Sequence, residues 1–364
     1  MTVGIYIDNP SRSLNGDRFF QQHIASIVRT IGFVRASLEA EGVAMHTADL
    51  LPEPNGSDTH LYVSINNYEG YRRLRGRQDV VLSLFMVTES PVVEPRLYRA
   101  LKDVRPHFNR MVSCIDATEF PEFGGDVVDC EPLRWPIDFS SVDLPLWSKT
   151  DRRFLSMVNM NKLPRLEHKE LFTERMRAVE YFGRTDDIDL YGVGWDTASQ
   201  RVGYTRIPWT LRRIQVAVNN WVDRISPDPL LVAARRVYKG QLDTKWETMS
   251  NYDFTLCFEN VRAKGWLTEK LFECLRVGTI PVYWGASDIE ELVAPDCFID
   301  MRQFSGYAEL RTFLKSMDRR TVQRYREAGR NFLASPGFKP FSKETLAGLF
   351  RDILERDAGV RVTV

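Results

Sequence analysis

The chain has 364 residues, of which 43% are hydrophobic, 27% charged and 12% aromatic. That balance belongs to a folded globular protein and excludes a disordered, collagen-like or low-complexity chain; at roughly 100–200 residues per domain the length calls for two domains. Lysine and arginine total 49, as do aspartate and glutamate, so no bulk field recruits nucleic acid or an anionic membrane, and an anionic ligand must be met by a few placed cations.

Five cysteines (Cys114, Cys130, Cys257, Cys274, Cys297) and five histidines form no cluster with metal-ligand spacing. The expectation is buried, reduced thiols and no metal site. Residues 1–20 lack a basic-then-apolar signal region, and no stretch approaches the roughly 20 apolar residues of a membrane span. The chain is therefore expected to be cytoplasmic, at most peripherally attached to a membrane.

In chain order, Thr2 to Ile7 is a β-branched run closed by Asp8-Asn9-Pro10, a strand ending in a turn. Phe20 to Glu41 carries apolar positions at helical spacing and stops at Gly42. Leu61 to Ile65 and Met111 to Ile115 read as strands, and Asp79 to Thr88 is nearly all apolar, as a strand buried on both faces requires. From Glu119 to Thr150 prolines and glycines, Gly125 among them, mark a connection between domains. A second alternating series follows: strand Phe154 to Asn159, helix Arg165 to Tyr181, strand Ile188 to Tyr191. An irregular stretch that includes Gly203 and Pro208 holds a helix near Leu211 to Val222. The clearest unit comes next, with strand Phe254 to Phe258, helix Thr268 to Val277 and strand Ile280 to Trp284. A short helix at Asp288 to Val293, a strand at Phe298 to Met301 and helices at Tyr307 to Ser316, Thr321 to Leu333 and Lys343 to Glu355 complete the chain. The pattern predicts two α/β domains, 1–148 and 149–340, with a C-terminal helix in 341–364 packing back on the first. Ligands of open α/β sheets bind outside the carboxyl ends of the strands, so reactive side chains just after strands are the ones to seek.

Residues 260–270 follow a buried strand and combine an amide, an aromatic, a hydroxyl, a carboxylate and a cation around a helix start. A helix N-terminus is a ready anion site, and Lys270 in the first turn opposes the helix dipole, which points to a compensating ligand anion. Glu269 is placed to accept hydrogen bonds from vicinal sugar hydroxyls, and Trp266 offers a face to a ring. The same segment also reads as an ordinary helix with Thr268 as its cap. Arg165, expected to begin a helix one α/β unit earlier, has a fork suited to a diphosphate or to a surface salt bridge. Asn159 is placed to bond the same ligand or cap a turn. Glu89 immediately follows the most apolar strand of the first domain, where partial desolvation suits a general base, or a loop contact. Asp187-x-Asp189 imitates a metal clamp but sits on the approach to a strand. Gly192-Val193-Gly194 lacks the third glycine of a dinucleotide fingerprint, since Thr197 takes its place.

Three runs taken together resemble a known family. They are Tyr252-Asp253-Phe254-Thr255-Leu256-Cys257-Phe258-Glu259-Asn260, then Trp266-Leu267-Thr268-Glu269-Lys270-Leu271, then Val277-Gly278-Thr279-Ile280-Pro281-Val282-Tyr283-Trp284-Gly285. Their content and order resemble the signature of the α-1,3/1,4-fucosyltransferases of glycosyltransferase family 10. Echoes lie at Tyr238-Lys239-Gly240, at Asp189-Leu190-Tyr191-Gly192, from Asn159 to Arg165, and at Glu89-Ser90-Pro91. The resemblance is dense from about Phe154 to Phe304 and sparse before it.

The resemblance implies a GT-B fold, two Rossmann-like domains whose parallel sheets face an interdomain cleft, with GDP-β-L-fucose held by the C-terminal one. It implies inverting, metal-independent transfer of fucose to an oligosaccharide or lipid-linked glycan, α-1,3 or α-1,4 on GlcNAc or Glc of a bacterial surface glycan. By position, Glu89 is the base, Arg165 and Lys270 neutralise the departing GDP, and Asn159, Asn260, Trp266 and Glu269 contact the donor. Trp266 stands where many members carry tyrosine, Val261 replaces a common serine, and Lys264-Gly265 replaces a frequent acidic pair. Those departures keep open a transferase of another GDP-linked deoxyhexose. A non-catalytic carbohydrate-binding relative is the further alternative.

Overall fold

A computed structural model describes residues 3–21, 26–54, 58–124, 128–165, 168–203, 209–242 and 244–360. Thr2, residues 22–25 of the expected first helix, Gly125, residues 166–167 and Pro208 lie outside the described residues. The chain divides into two compact units, Met1–Ser140 joined by Phe338–Val364, and Ser141–Gly337, against the expected division at 148 and 340. The earlier boundary has a physical cause. Asp143 and the short helix after it bond into the second unit, with Asp143 N donating to Arg276 O over 2.9 Å.

The first unit is built on a parallel sheet of six strands: β1 (Val3–Asp8), β2 (Ala44–Thr47), β3 (Thr59–Ile65), β4 (Val80–Val87), β5 (Arg110–Ser113) and β6 (Glu131–Pro132), in the order β2-β1-β3-β4-β5-β6. In β4 burial runs unbroken from Ser83 through Val87, as a strand covered on both faces demands. Helix α1 (Ser26–Ala40) buries Ile31, Val34 and Leu38 at helical spacing. The C-terminal helix Lys343–Ala358 turns Leu346, Phe350, Ile353 and Leu354 into the same core, against Ile5, Leu61, Val63 and Leu84 of the sheet. Arg351 clamps that helix to Glu41. The tail thus completes the first unit. Helix α2 (Pro95–Val104), which the sequence reading passed over, buries Leu97, Tyr98, Leu101 and Val104.

In the second unit, α3 (Leu144–Trp147) leads to β7 (Arg153–Val158), β8 (Lys162–Pro164), α4 (Phe172–Gly183), β9 (Ile188–Tyr191) and β10 (Gln200–Val202). Helices α5 (Trp209–Ile225), α6 (Pro229–Val237) and α7 (Lys245–Met249) precede β11 (Tyr252–Phe258), α8 (Glu269–Val277) and β12 (Ile280–Trp284). Then come α9 (Ile289–Leu292), β13 (Ile299–Asp300), α10 (Tyr307–Ser316) and α11 (Arg319–Leu333). The main sheet is parallel, ordered β13-β12-β11-β7-β9, and β8 pairs with β10 alone. Buried Arg152 fastens the base of the sheet. Its guanidinium donates to the carbonyls of Leu146, Trp147, Tyr252 and Val277, and burial pulls its pKa down to about 10. A cation at the last carbonyls of α8 also suits the helix dipole. Gly278 then ends α8 at φ 71°, where an added Cβ would lie 2.6 Å from Trp147.

The helix expected over Arg165 to Tyr181 is corrected. Lys162–Pro164 is a strand, Arg165 N continues its pairing by donating to Val202 O over 3.0 Å, and α4 starts only at Phe172. The two attractive decoys have structural work to do. Asp187 is held by Arg311 and Lys315, and Asp189 by Arg153 and the Tyr252 hydroxyl. Gly192, at φ 124°, passes so close to Asn159 that a Cβ would stand 2.0 Å from its carbonyl oxygen. All five cysteines are free, and Cys257 and Cys274 lie with sulfurs 3.1 Å apart.

Candidate functional site

Strand β11 runs its apolar residues through the centre of the sheet and delivers Glu259 at its end with none of its surface exposed. A buried carboxylate persists only when it is paired and hydrogen-bonded, and Glu259 is. It accepts from Thr268 N (2.8 Å), from Thr268 Oγ1 (2.8 and 2.9 Å) and from Lys270 Nζ (2.9 Å). Lys270 Nζ also donates to Thr268 Oγ1 over 2.8 Å and lies 3.7 Å from the Glu269 carboxylate. The first turn of α8 is therefore stapled to the end of β11. Thr268 occupies the cap position but makes no side-chain cap hydrogen bond, because its hydroxyl serves Glu259. This revises the simple capped-helix reading. It also changes the account of Lys270: the counter-charge left for a ligand anion is already supplied by Glu259.

Burial works against the Lys270 ammonium, yet Glu259 and Glu269 outweigh it and hold its pKa above the ordinary value. Burial likewise works against Glu269, and Lys270 and Lys245 outweigh it, so its carboxyl titrates below the ordinary range. Both side chains stay 22% exposed. A charged donor and an ionised acceptor thus stand side by side at a helix N-terminus. One turn further on, Glu273 is buried with Lys245 at 2.5 Å, and its pKa is pushed up to about 7, burial being the main cause.

Arg175 of α4 is buried beneath this turn and donates to Phe258 O (3.1 and 2.6 Å) and to Asn260 Oδ1 (3.2 Å); burial pulls its pKa down to about 10. Among the described residues the Asn260 NH2 has no partner, its oxygen accepting from Arg175. Trp266 departs from expectation. Its indole is 2% exposed, enclosed by the fold rather than offered as an open face, and its carbonyl accepts from Tyr283 Oη over 3.2 Å.

Arg165 is exposed and lines a depression of about 250 Å³ with Thr197 to Arg201 and four residues of α5, sharing no lining residue with the α8 turn. Asn159 follows β7, its carbonyl accepting from Trp195 Nε1 over 2.7 Å. The structure joins Asn260, Glu269 and Lys270 around one turn and leaves Arg165 in a separate depression of the same unit. Glu259 and Arg175 were missed as site residues, and the buried acid in Phe258-Glu259-Asn260 was the available signal.

In the first unit, the carboxyl ends of β1, β3 and β4 open on a cavity of about 720 Å³ that includes Asp8, Asn66, Asn67, Glu89 and Glu94 with Arg12, Arg72 and Arg73. Asn66 takes a left-handed conformation (φ 58°), tolerable for asparagine, and exchanges two 2.8 Å hydrogen bonds with Thr88. That clamp fixes the exit of β4. Glu89 is half-buried beyond it, its Oε1 accepting from Ser90 N and its carbonyl from Tyr98 Oη, both over 2.9 Å. Asp8 accepts from Tyr62 Oη and, over 3.0 Å, from Asn67 Nδ2. Burial raises the pKa of Glu94. Asp8 and Glu94 were missed by the sequence reading; the signal for Asp8 was its place at the end of a strand next but one to β4.

Residues 232–328, which contain β11, α8 and β12, match the family described as glycosyltransferase family 10 (fucosyltransferase) C-term. That segment resembles the C-terminal domain of glycosyltransferase family 10. The chain is 39% identical over 69 residues to an alpha-(1,4)-fucosyltransferase of Arabidopsis thaliana, a stretch covering 19% of the chain and 17% of the relative. It is 35% identical over 71 residues to the alpha-(1,3)-fucosyltransferase FucT of Helicobacter pylori, covering 20% and 15%. The matches thus span about a sixth of those relatives' length. A crystal structure of an alpha1,3-fucosyltransferase aligns over 98% of the chain and 91% of its own, with TM-score 0.50 and 16% identity. That likeness shows the fold, the expected GT-B class with an α/β unit on each parallel sheet. Among the described residues no helix is long and apolar enough to cross a membrane.

Proposed function

We propose that this protein is an inverting fucosyltransferase that moves L-fucose from GDP-β-L-fucose to a hydroxyl of an oligosaccharide or lipid-linked glycan, in α-1,3 or α-1,4 linkage to GlcNAc or Glc. Glu89 takes the proton of the acceptor hydroxyl as its oxygen attacks the anomeric carbon. The bond from that carbon to the diphosphate breaks, and GDP leaves with its charge met by Lys270 and Arg165. Positioned cations suffice for such a leaving group, so the reading needs no metal. Glu269 receives the ribose hydroxyls, and Asn260, with Asn159, supports the donor. Trp266 contributes as a buried wall behind the donor turn. The same reading places the enzyme in the cytoplasm, in keeping with five unbonded cysteines.

The observation that carries the proposal is the Glu259–Thr268–Lys270 staple, which holds an ammonium charged and partly open at the first turn of α8, inside the segment that matches the family. Two of its three N–H groups are engaged by Glu259 and Thr268, which leaves a donor for a phosphoryl oxygen. The test is a screen of nucleotide sugars with mass spectrometry of the products, beside a melting-temperature series with GDP, UDP and NAD. GDP is expected to stabilise most, and GDP-fucose to be consumed. Equal stabilisation by UDP, or turnover of GDP-mannose instead, overturns the donor assignment.

A further inference from the structure

Helix α5 is turned inside out. Leu211, Ile214, Val218, Trp221, Val222 and Ile225 recur at three- and four-residue steps, which places them on one face, and each is between 48% and 64% exposed. Of the polar positions, four engage the fold. Asn220 Oδ1 accepts from Ala198 N over 3.0 Å, Asp223 pairs with Arg235, and Gln215 and Asn219 line the depression beside Arg165. A surface helix ordinarily buries its apolar stripe and shows its polar face to water. A contiguous apolar face left open marks an interaction surface.

Charge identifies the occupant. The helix contains three arginines and one acid. The acid, Asp223, faces inward and is neutralised, whereas Arg213 and Arg224 are exposed and have no ion pair among the described residues. A second copy of the helix would bring arginines to arginines and no acid to meet them. An anionic lipid surface supplies both the apolar medium and the counter-charge. Seventeen residues give a helix of about 25 Å, and a helix with arginines beside an apolar face bearing tryptophan lies in the interfacial plane.

We propose that α5 is an in-plane anchor for an anionic phospholipid surface, Trp221 and Ile225 entering the headgroup boundary and Arg213 and Arg224 meeting phosphates. The proposal stands apart from the fucosyl-transfer reading, since none of these four side chains belongs to the donor turn. The full chain is expected to float with phosphatidylcholine vesicles containing phosphatidylglycerol and to stay behind with phosphatidylcholine alone. The double variant Trp221→Glu/Ile225→Glu should lose vesicle binding while keeping the wild-type melting temperature. Arg213→Glu/Arg224→Glu, a surface change that serves if the first variant misfolds, should weaken binding about tenfold or more. Three results overturn the proposal: no flotation, equal flotation on zwitterionic vesicles, or unchanged binding by both variants. A dimer in light scattering that Trp221→Glu/Ile225→Glu abolishes would also overturn it and make a second copy the occupant.

Discussion

The ammonium of Lys270 rests 2.9 Å from the carboxylate of Glu259, and Glu259 is wholly buried. A lysine in the first turn of a helix is unfavourable to the dipole; here the strand that precedes the helix provides its counter-ion. The pair is structural, and the donor role proposed for Lys270 is separable from it by mutation.

Lys270→Ala leaves the Glu259 charge buried with only Thr268 to bond it. Breaking such a pair costs about 3 kcal/mol or more, and at 2–4 °C per kcal/mol for a unit of this size the melting temperature should fall by roughly 6–12 °C. The GDP-induced shift should vanish as well. In Lys270→Met/Glu259→Gln the uncompensated charge is gone, so the melting temperature should recover while the GDP shift stays absent. Recovery of both would remove Lys270 from the donor site.

Glu89→Gln tests the base. The amide keeps the shape and cannot take a proton, so the transfer rate should drop by about 10²–10⁴. Glu89 belongs to the first unit and the turn proposed to hold the donor to the second, so the GDP shift should be untouched. A transfer rate within threefold of wild type, by radiolabelled-donor assay, assigns the proton transfer to another group such as Asp8 or Glu94.

The C-terminal helix is a test of the first unit's core. Phe350 is fully buried among sheet and α1 residues, and Phe350→Ala removes a ring that the site refills only in part, at about 3–5 kcal/mol. Scanning calorimetry should show the transition of the unit holding Phe350 move down, while the GDP-responsive transition stays in place.

The sequence was most legible where local pattern and tertiary role coincide. Strand β11, helix α8 and strand β12 were expected within two residues of where they lie, because the strands are apolar runs and Gly278 supplies a helix stop. Arg165 was misread for want of a start signal: α4 begins after Leu171, which has no capping side chain, whereas Lys162–Pro164 pairs with β10 from a distance. Helix α6 was overlooked although Asp228, whose side chain accepts from Leu230 N, and Pro229 announce it. The bonds of Glu259 to Thr268 and of Arg175 to Asn260 join residues 9 and 85 positions apart, and no periodicity encodes that. Trp266 looked like a platform because its residue type is right for one; only packing shows that it is enclosed.

Glu273 supplies a pH test of the same helix. Its folded-state pKa is raised from 4.5 to about 7, with burial as the main cause and the Lys245 ammonium opposing it. A carboxyl whose folded pKa is raised binds its proton more tightly folded than unfolded. In the interval from 4.5 to about 7 the folded chain holds the extra proton, so the group's contribution to stability falls as pH rises through that window. Glu273→Gln cannot ionise and lacks this loss. The gap in urea midpoint between variant and wild type should therefore move in the variant's favour from pH 5 to pH 8, with most of the change below pH 7. A constant gap across that range would mean that Lys245, 2.5 Å away, keeps Glu273 ionised throughout and that the two form an ordinary buried ion pair.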